Sequence, residues 1–225
     1  MFIDRSMIKR VITIGKETNI LEARDLMKEN HIRHLPVVEP DGTLIGIVTD
    51  RDIRSAMPST LQDELNCDAV DDKLREVTVD RFMTPDPMTI APTYTIQDAL
   101  LLIQDKKVGA FPVVDDAGKL KGIVSIRDLI RAFINVLNIG EPGMLLGILV
   151  EDKVGQLKRI VDAITEEKVS FGSVLVSRHW EEGKRAVFPY LLTNNIARIK
   201  KKLRDMGYTL LDPMEWYLDQ LPKNE

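Results

Sequence analysis

Two short polar signatures in this chain have the residue types and spacing to hold a ligand: Thr49-x-x-Asp52 and Ser125-x-x-Asp128. In each, a hydroxyl stands three residues ahead of a carboxylate, where an apolar run gives way to a helical pattern. One reading is helix capping. The hydroxyl accepts from the backbone N–H three residues on, and an acid in the first turn suits the helix dipole. The other reading uses the same geometry. A strand ending at a helix N-terminus presents amides and a hydroxyl to an anion. An Asp one turn in can accept from two neighbouring ribose hydroxyls. Arg51 and Arg127 lie inside these turns, placed either to meet a phosphate or to face solvent.

A second pair of segments precedes these signatures. Ile32-Arg33-His34-Leu35-Pro36 and Val108-Gly109-Ala110-Phe111-Pro112 could line a slot for a purine, which needs flat apolar walls and backbone groups at its edge. Pro36 and Pro112 fix the course of the chain and remove one donor each. The alternative is that both segments are strands packing the core, with His34 an ordinary packed or surface histidine.

These features come in pairs because the chain repeats itself. Residues 4–56 laid on 80–132, an offset of 76 with no gap, are identical at 19 of 53 positions. Average composition gives roughly three by chance. Each copy reads strand, helix, strand, strand, helix. In the first, Val11–Ile14 is a strand, Asn19 and Glu22 have capping-box spacing, and Ile20, Ala23 and Met27 share a helical face. Leu35–Val38 and Leu44–Val48 are strands around a Pro-Asp-Gly-Thr turn. In the second, Thr95 and Asp98 form the cap, and Leu129, Ile130, Phe133, Ile134 and Leu137 form the buried stripe of the last helix. Between the copies, Thr60 with Asp63, and Leu61, Leu65 and Leu74, suggest a short amphipathic helix.

Ile139-Gly140-Glu141-Pro142-Gly143 breaks the pattern, and a different unit follows. Leu145–Val150 reads as a buried strand. Gln156–Lys168 is a helix with Leu157, Ile160, Val161 and Ile164 on one face. Strands Ser170–Ser177 and Arg185–Leu192 flank Glu182-Gly183. A helix capped by Asn194 or Asn195 ends at Gly207, and Tyr208–Leu211 is a last strand. The order βαββαβ is the ferredoxin-like arrangement.

Composition bounds the function. With 31 Lys and Arg against 35 Asp and Glu, the net charge is −4, which disfavours nucleic acid as a partner. The run Lys200-Lys201-Lys202 sits on a helix with an apolar opposite face and reads as solvated. No apolar run approaches a membrane span, and no secretory leader pattern is visible at Met1–Arg5. The single Cys67 and the three histidines lack metal spacing. No nucleophile, base and orienting group occur together. A cytoplasmic, non-catalytic protein without metal or required cofactor is expected.

The paired motifs closely resemble a tandem CBS, or Bateman, module. That family carries a Gly-hydrophobic-x-hydrophobic-Pro segment, then a strand, then Ser/Thr-x-x-Asp/Asn. Gly109-Ala110-Phe111-Pro112 with Ser125 and Asp128 follows it, whereas the first copy has Arg33 and His34 where small residues are usual. The resemblance implies that Asp52 and Asp128 bind ribose and that Thr49 and Ser125 lie near ribose and phosphate. It implies that Thr13 and Thr89 offer backbone to adenine. The implied ligand is AMP, ADP, ATP or an adenosyl compound. The last unit resembles an ACT domain through Asp152-Lys153-Val154-Gly155-Gln156-Leu157, with Val154 in place of the family's Pro. That implies a possible amino-acid site at Asp152, Gly155, Gln156 and Ser170, or a purely dimerising domain. The order CBS-CBS-ACT, with the phrase Phe82-Met83-Thr84-Pro85, resembles acetoin-utilisation proteins of the AcuB type.

The expected fold is therefore α+β: a tandem CBS pair of two βαββα repeats, then a ferredoxin-like βαββαβ ACT domain. The expected boundaries are 1–56, connector 57–79 and 80–138 for the pair, 144–212 for the ACT domain, and 213–225 for a tail. The expected function is regulatory: an adenine-nucleotide sensor, homodimeric, acting on a partner enzyme and linked by resemblance to acetoin or acetate metabolism. The alternative is an adaptor subunit with empty CBS sites.

Overall fold

The computed structural model describes residues 1–57 and 73–211. The expected connector helix around Thr60 to Leu65, Cys67 and the tail 213–225 lie outside them. The chain forms two compact units, Met1–Ile130 and Arg131–Glu225.

In the first unit, α1 (Ile20–Glu29) starts where the Asn19 side chain accepts from Glu22 N at 2.9 Å, and it buries Ile20, Ala23 and Met27. Strands β1 (His34–Val38) and β2 (Leu44–Thr49) pair antiparallel from His34↔Thr49 to Val38↔Leu44. Gly42 takes φ +84° in their turn, a conformation that side chains with a Cβ rarely adopt. No loop separates β2 from α2 (Asp50–Ala56), so Thr49 is both the end of a strand and a helix cap. The second copy repeats this. After β3 (Thr84–Pro85) come α3 (Ile96–Lys106), β4 (Ala110–Val114) and β5 (Leu120–Ser125), with Ala110↔Ser125 matching His34↔Thr49 at the offset of 76. The helix α4 (Ile126–Leu137) follows Ser125 directly.

The strand expected at Val11–Ile14 does not form. Only Ile14 pairs, in a single parallel bridge to Val37, and Ile90 does the same with Val113. The other contacts of these leading segments cross between copies. Residues Thr84 and Pro85 pair with β2 of the first copy at Ile47 and Gly46. Ile8 pairs with Ile123 in β5 of the second. Ile3 N bonds Tyr94 O, and Val79 N bonds Thr18 O, again one offset apart. The two hairpin turns also meet: Leu44 N donates to Gly118 O and Leu120 N to Gly42 O, both at 3.1 Å. Each copy therefore lends its first residues to the other about a pseudo-two-fold axis. The core of the first copy accordingly includes Val79 along with Leu35, Val37, Val48 and Ile53.

The expected buried stripe of α4 is corrected. Leu129 and Ala132 are buried, while Ile130, Phe133 and Ile134 are exposed. The periodicity marks an apolar face, only part of which is buried.

The second unit has strands β6 (Met144–Leu145) and β7 (Gly147–Glu151), helix α5 (Gln156–Thr165), strands β8 (Phe171–Glu181) and β9 (Lys184–Leu191), helix α6 (Ala197–Asp205) and strand β10 (Thr209–Leu211). The expected single strand 145–150 breaks at Leu146 into β6 and β7, and Leu145 is exposed. Strand order is β10-β7-β9, with β8 on the far side of β9 and all pairs antiparallel. That is the ferredoxin-like order. Leu146, Ile148, Val150 and Val187 pack on Ile160, Ile164, Ile199 and Leu203 of the two helices. Leu157, expected on the buried stripe of α5, is exposed.

Candidate functional site

Thr49 and Asp52 form a complete capping box. Thr49 N and Thr49 Oγ1 both donate to Asp52 Oδ2, at 2.8 and 2.7 Å, and Asp52 N donates back to Thr49 Oγ1 at 3.3 Å. Capping thus engages one carboxylate oxygen and fixes the rotamer of the side chain. Ser125 and Asp128 share this geometry, with Ser125 Oγ to Asp128 Oδ2 at 2.6 Å and Ser125 N at 3.0 Å. The surroundings differ: Asp128 is buried, whereas Asp52 is partly open.

Asp52 opens onto a cleft of about 600 Å³ built from both copies. The first copy contributes Arg33 and His34 from the start of β1, Ile47 and Thr49 from β2, and Asp50, Arg51, Asp52 and Arg54 from α2. The second contributes Thr84 from the exchanged segment, Pro87 and Met88 just after it, Ile103 and Lys107 at the end of α3, then Val108, Gly109, Ala110 and Ile126. The apolar side chains Ile47, Met88, Ile103 and Val108 supply flat contact surface, and the charged ones stand beside them. His34 Nε2 lies 3.1 Å from where a Cβ on Gly109 would be, so that glycine makes room for the imidazole of the other copy.

Four cations, Arg33, Arg51, Arg54 and Lys107, line the cleft against two acids, Asp50 and Asp52. Arg54 is tied to Asp50 at 2.7 Å. Because α2 has only seven residues, its dipole is short, and side-chain charge dominates the field here. Burial holds the His34 imidazole below the usual histidine range; Arg33 acts the same way, and Asp52 opposes both.

The expected site residues divide accordingly. Arg33, His34, Thr49, Arg51, Asp52, Val108, Gly109 and Ala110 come together, although the sequence had assigned them to two separate sites. Leu35, Pro36, Phe111 and Pro112 are buried and do not line the cleft; Leu35 and Phe111 lie on the opposite strand face from His34 and Ala110. Thr13, Thr89, Ser125, Arg127 and Asp128 lie outside it too. Met88, Ile103 and Lys107 were missed. They come from the second copy to a cleft headed by Asp52 of the first, a placement that no local pattern announces.

In the second unit, Gly155 takes φ +93° ahead of α5. Gln156 Oε1 accepts from Tyr208 Oη at 2.9 Å beside Arg159, in a cavity of about 230 Å³. Asp152 instead pairs with Arg185 and lines a different depression with His179 and Trp180. Ser170 is exposed and lines neither. These four residues therefore do not converge. No described helix is long and apolar enough to cross a membrane.

A family model described as the CBS domain matches residues 3–59 and 75–135. Among curated proteins, the chain is 37% identical over 142 residues to a CBS domain-containing protein of Dictyostelium discoideum, covering 63% of this chain and 97% of that one. It is 30% identical over 129 residues to inosine-5'-monophosphate dehydrogenase of Aquifex aeolicus, where the match covers 57% of this chain and 24% of the enzyme. Among solved structures, CBSX2 in complex with AMP matches at 26% identity and TM-score 0.50, over 60% of this chain and 97% of that chain. An acetoin-utilisation protein (AcuB) from Vibrio cholerae matches at 26% and 0.51, over 62% and 96%.

Proposed function

The chain belongs to the CBS-domain family, and from that premise we propose that it is a non-catalytic, cytoplasmic sensor whose cross-repeat cleft binds an adenine nucleotide. One observation carries the reading: a fixed, half-open carboxylate, Asp52, shares a cleft with apolar side chains, a small-residue pair and four cations. A ribose diol, a purine and a phosphate require these three environments. The AMP complex of CBSX2 supports the ligand class. Match to only 24% of inosine-5'-monophosphate dehydrogenase fits a regulatory module that is also attached to enzymes, and a regulated enzyme partner is part of the proposal. We take the second unit as an ACT domain on its βαββαβ order and the Gly155 turn, acting in homodimer formation. The likeness to AcuB of Vibrio cholerae supports a place in acetoin or acetate metabolism.

The test separates ligand binding from capping. Thr95 and Asp98 form the same capping box in α3, away from the cleft. Asp52→Ala and Asp98→Ala should each lower stability by about 1 kcal/mol. Only Asp52→Ala should also weaken AMP binding, by about 2–3 kcal/mol for two lost charge-assisted bonds. Isothermal titration on the folded variants decides. Unchanged AMP binding by Asp52→Ala, or no adenine compound bound by the wild type, refutes the reading.

A further inference from the structure

We infer that the Asp52 cleft selects for the length of the phosphate chain, taking ATP in preference to AMP, and that Lys107 and Arg33 set this preference. The inference rests on the adenine-nucleotide reading above. Its evidence is the pseudo-two-fold itself. Contacts on either side of the axis match at an offset of 76, so each cleft residue has a counterpart in the other copy. Ribose-binding geometry survives the comparison: Thr49 and Asp52 correspond to Ser125 and Asp128, and Arg51 to Arg127. Of the four cations only Arg51 is matched by another cation: Arg33 corresponds to Gly109, Arg54 to Ile130 and Lys107 to His31. Arg54 is paired with Asp50, which corresponds to Ile126, so the net positive charge that sets the cleft at Asp52 apart comes from Lys107 together with Arg33.

Lys107 ends α3 in the left-handed region, at φ +54°. It makes no ion pair among the described residues, although its neighbour Lys106 is bound to Asp105. A flexible ammonium with no acidic partner, on the wall of a cleft that already holds Arg33 and Arg51, adds attraction for each further phosphate. AMP presents one phosphate and so gains from fewer of these cations. A longer chain brings more negative charge and needs the outlying cations.

The probes are AMP and ATP without metal, titrated calorimetrically into the full chain at low and at physiological salt. The wild type should bind ATP at least about tenfold tighter than AMP, with the preference shrinking as salt rises. Lys107→Gln, and Arg33→Gly with Lys107→His, should bring the ratio of the two dissociation constants close to one. Lys106→Ala, which removes an equal charge from outside the cleft, should leave that ratio in place. Equal binding of AMP and ATP by the wild type overturns the inference while leaving the nucleotide reading intact. So does a preference retained in Lys107→Gln, a surface change that keeps the chain length and does not touch the core. Absence of binding by either nucleotide instead defeats the reading beneath it.

Discussion

His34 is half-buried on the cleft wall, and its neighbours decide its charge. Burial is the largest influence on its pKa and lowers it; Arg33 lowers it further, and Asp52 works against both. The folded protein therefore holds fewer protons at this site than the unfolded chain once pH drops below the ordinary histidine value of about 6.5. Stability is full above that pH and falls as pH decreases from there towards the lowered folded value. His34→Gln keeps a polar side chain against Gly109 but cannot titrate. The wild type should lose more melting temperature than His34→Gln between pH 7.5 and pH 5, and parallel losses would show that His34 does not titrate in this window. A phosphate in the cleft favours the protonated ring, so nucleotide affinity should also rise as pH falls from 7.5 to 6, and the rise should vanish in His34→Gln.

At the scale of elements, the exchange of leading segments rests on two glycines. A Cβ on Gly122 would lie 2.6 Å from Met7 Sδ and 3.0 Å from the backbone Ile8 O; one on Gly46 would lie 2.5 Å from Met83 Sδ and 3.3 Å from Thr84 O. A methionine side chain can swing away, but the backbone of a paired strand cannot. Gly122→Ala should thus cost more than Gly46→Ala, about 1–3 kcal/mol against the lower end of that range; urea denaturation of both would show it, and the reverse order would contradict the argument. This same exchange explains what was legible in the sequence. Capping at Asn19, Thr49 and Thr95, the turns at Gly42 and Gly118, and the βαββαβ order are written locally, in residues three or four apart. Thr49 and Asp52 could be named as binding residues because a hydroxyl and an acid recur at Ser125 and Asp128, and Gly109 and Ala110 because they precede Pro112 in the small-residue pattern. That Asp52 and Gly109 face one cleft, and that Lys107 joins them, depends on pairing between Thr84 and Ile47, a contact between copies that periodicity does not encode. The apolar stripe of α4 was visible too, but a stripe states only that a face is apolar, and Ile130 and Phe133 are exposed.

Across the whole molecule, the two units have separate cores. One gathers Ile20, Leu35, Val37, Val48 and Val79, the other Ile148, Ile160, Val187, Ile199 and Leu203, and neither cluster includes a residue of the other unit. Separate cores of this size favour separate cooperative transitions on heating, so a single melting temperature is an incomplete description of this chain. The cleft lies wholly within Met1–Ile130. A ligand that binds only the native form of one unit stabilises that unit by about 2.7 kcal/mol at a hundredfold excess over its dissociation constant, equivalent to several degrees for a domain of this size. Scanning calorimetry of the full chain should resolve two transitions, with ATP moving only one of them upward. Asp52→Ala should abolish that movement and leave the second transition where it was. A single transition that shifts as a whole with ATP would show instead that the units unfold together, and that nucleotide in the first unit stabilises the second directly.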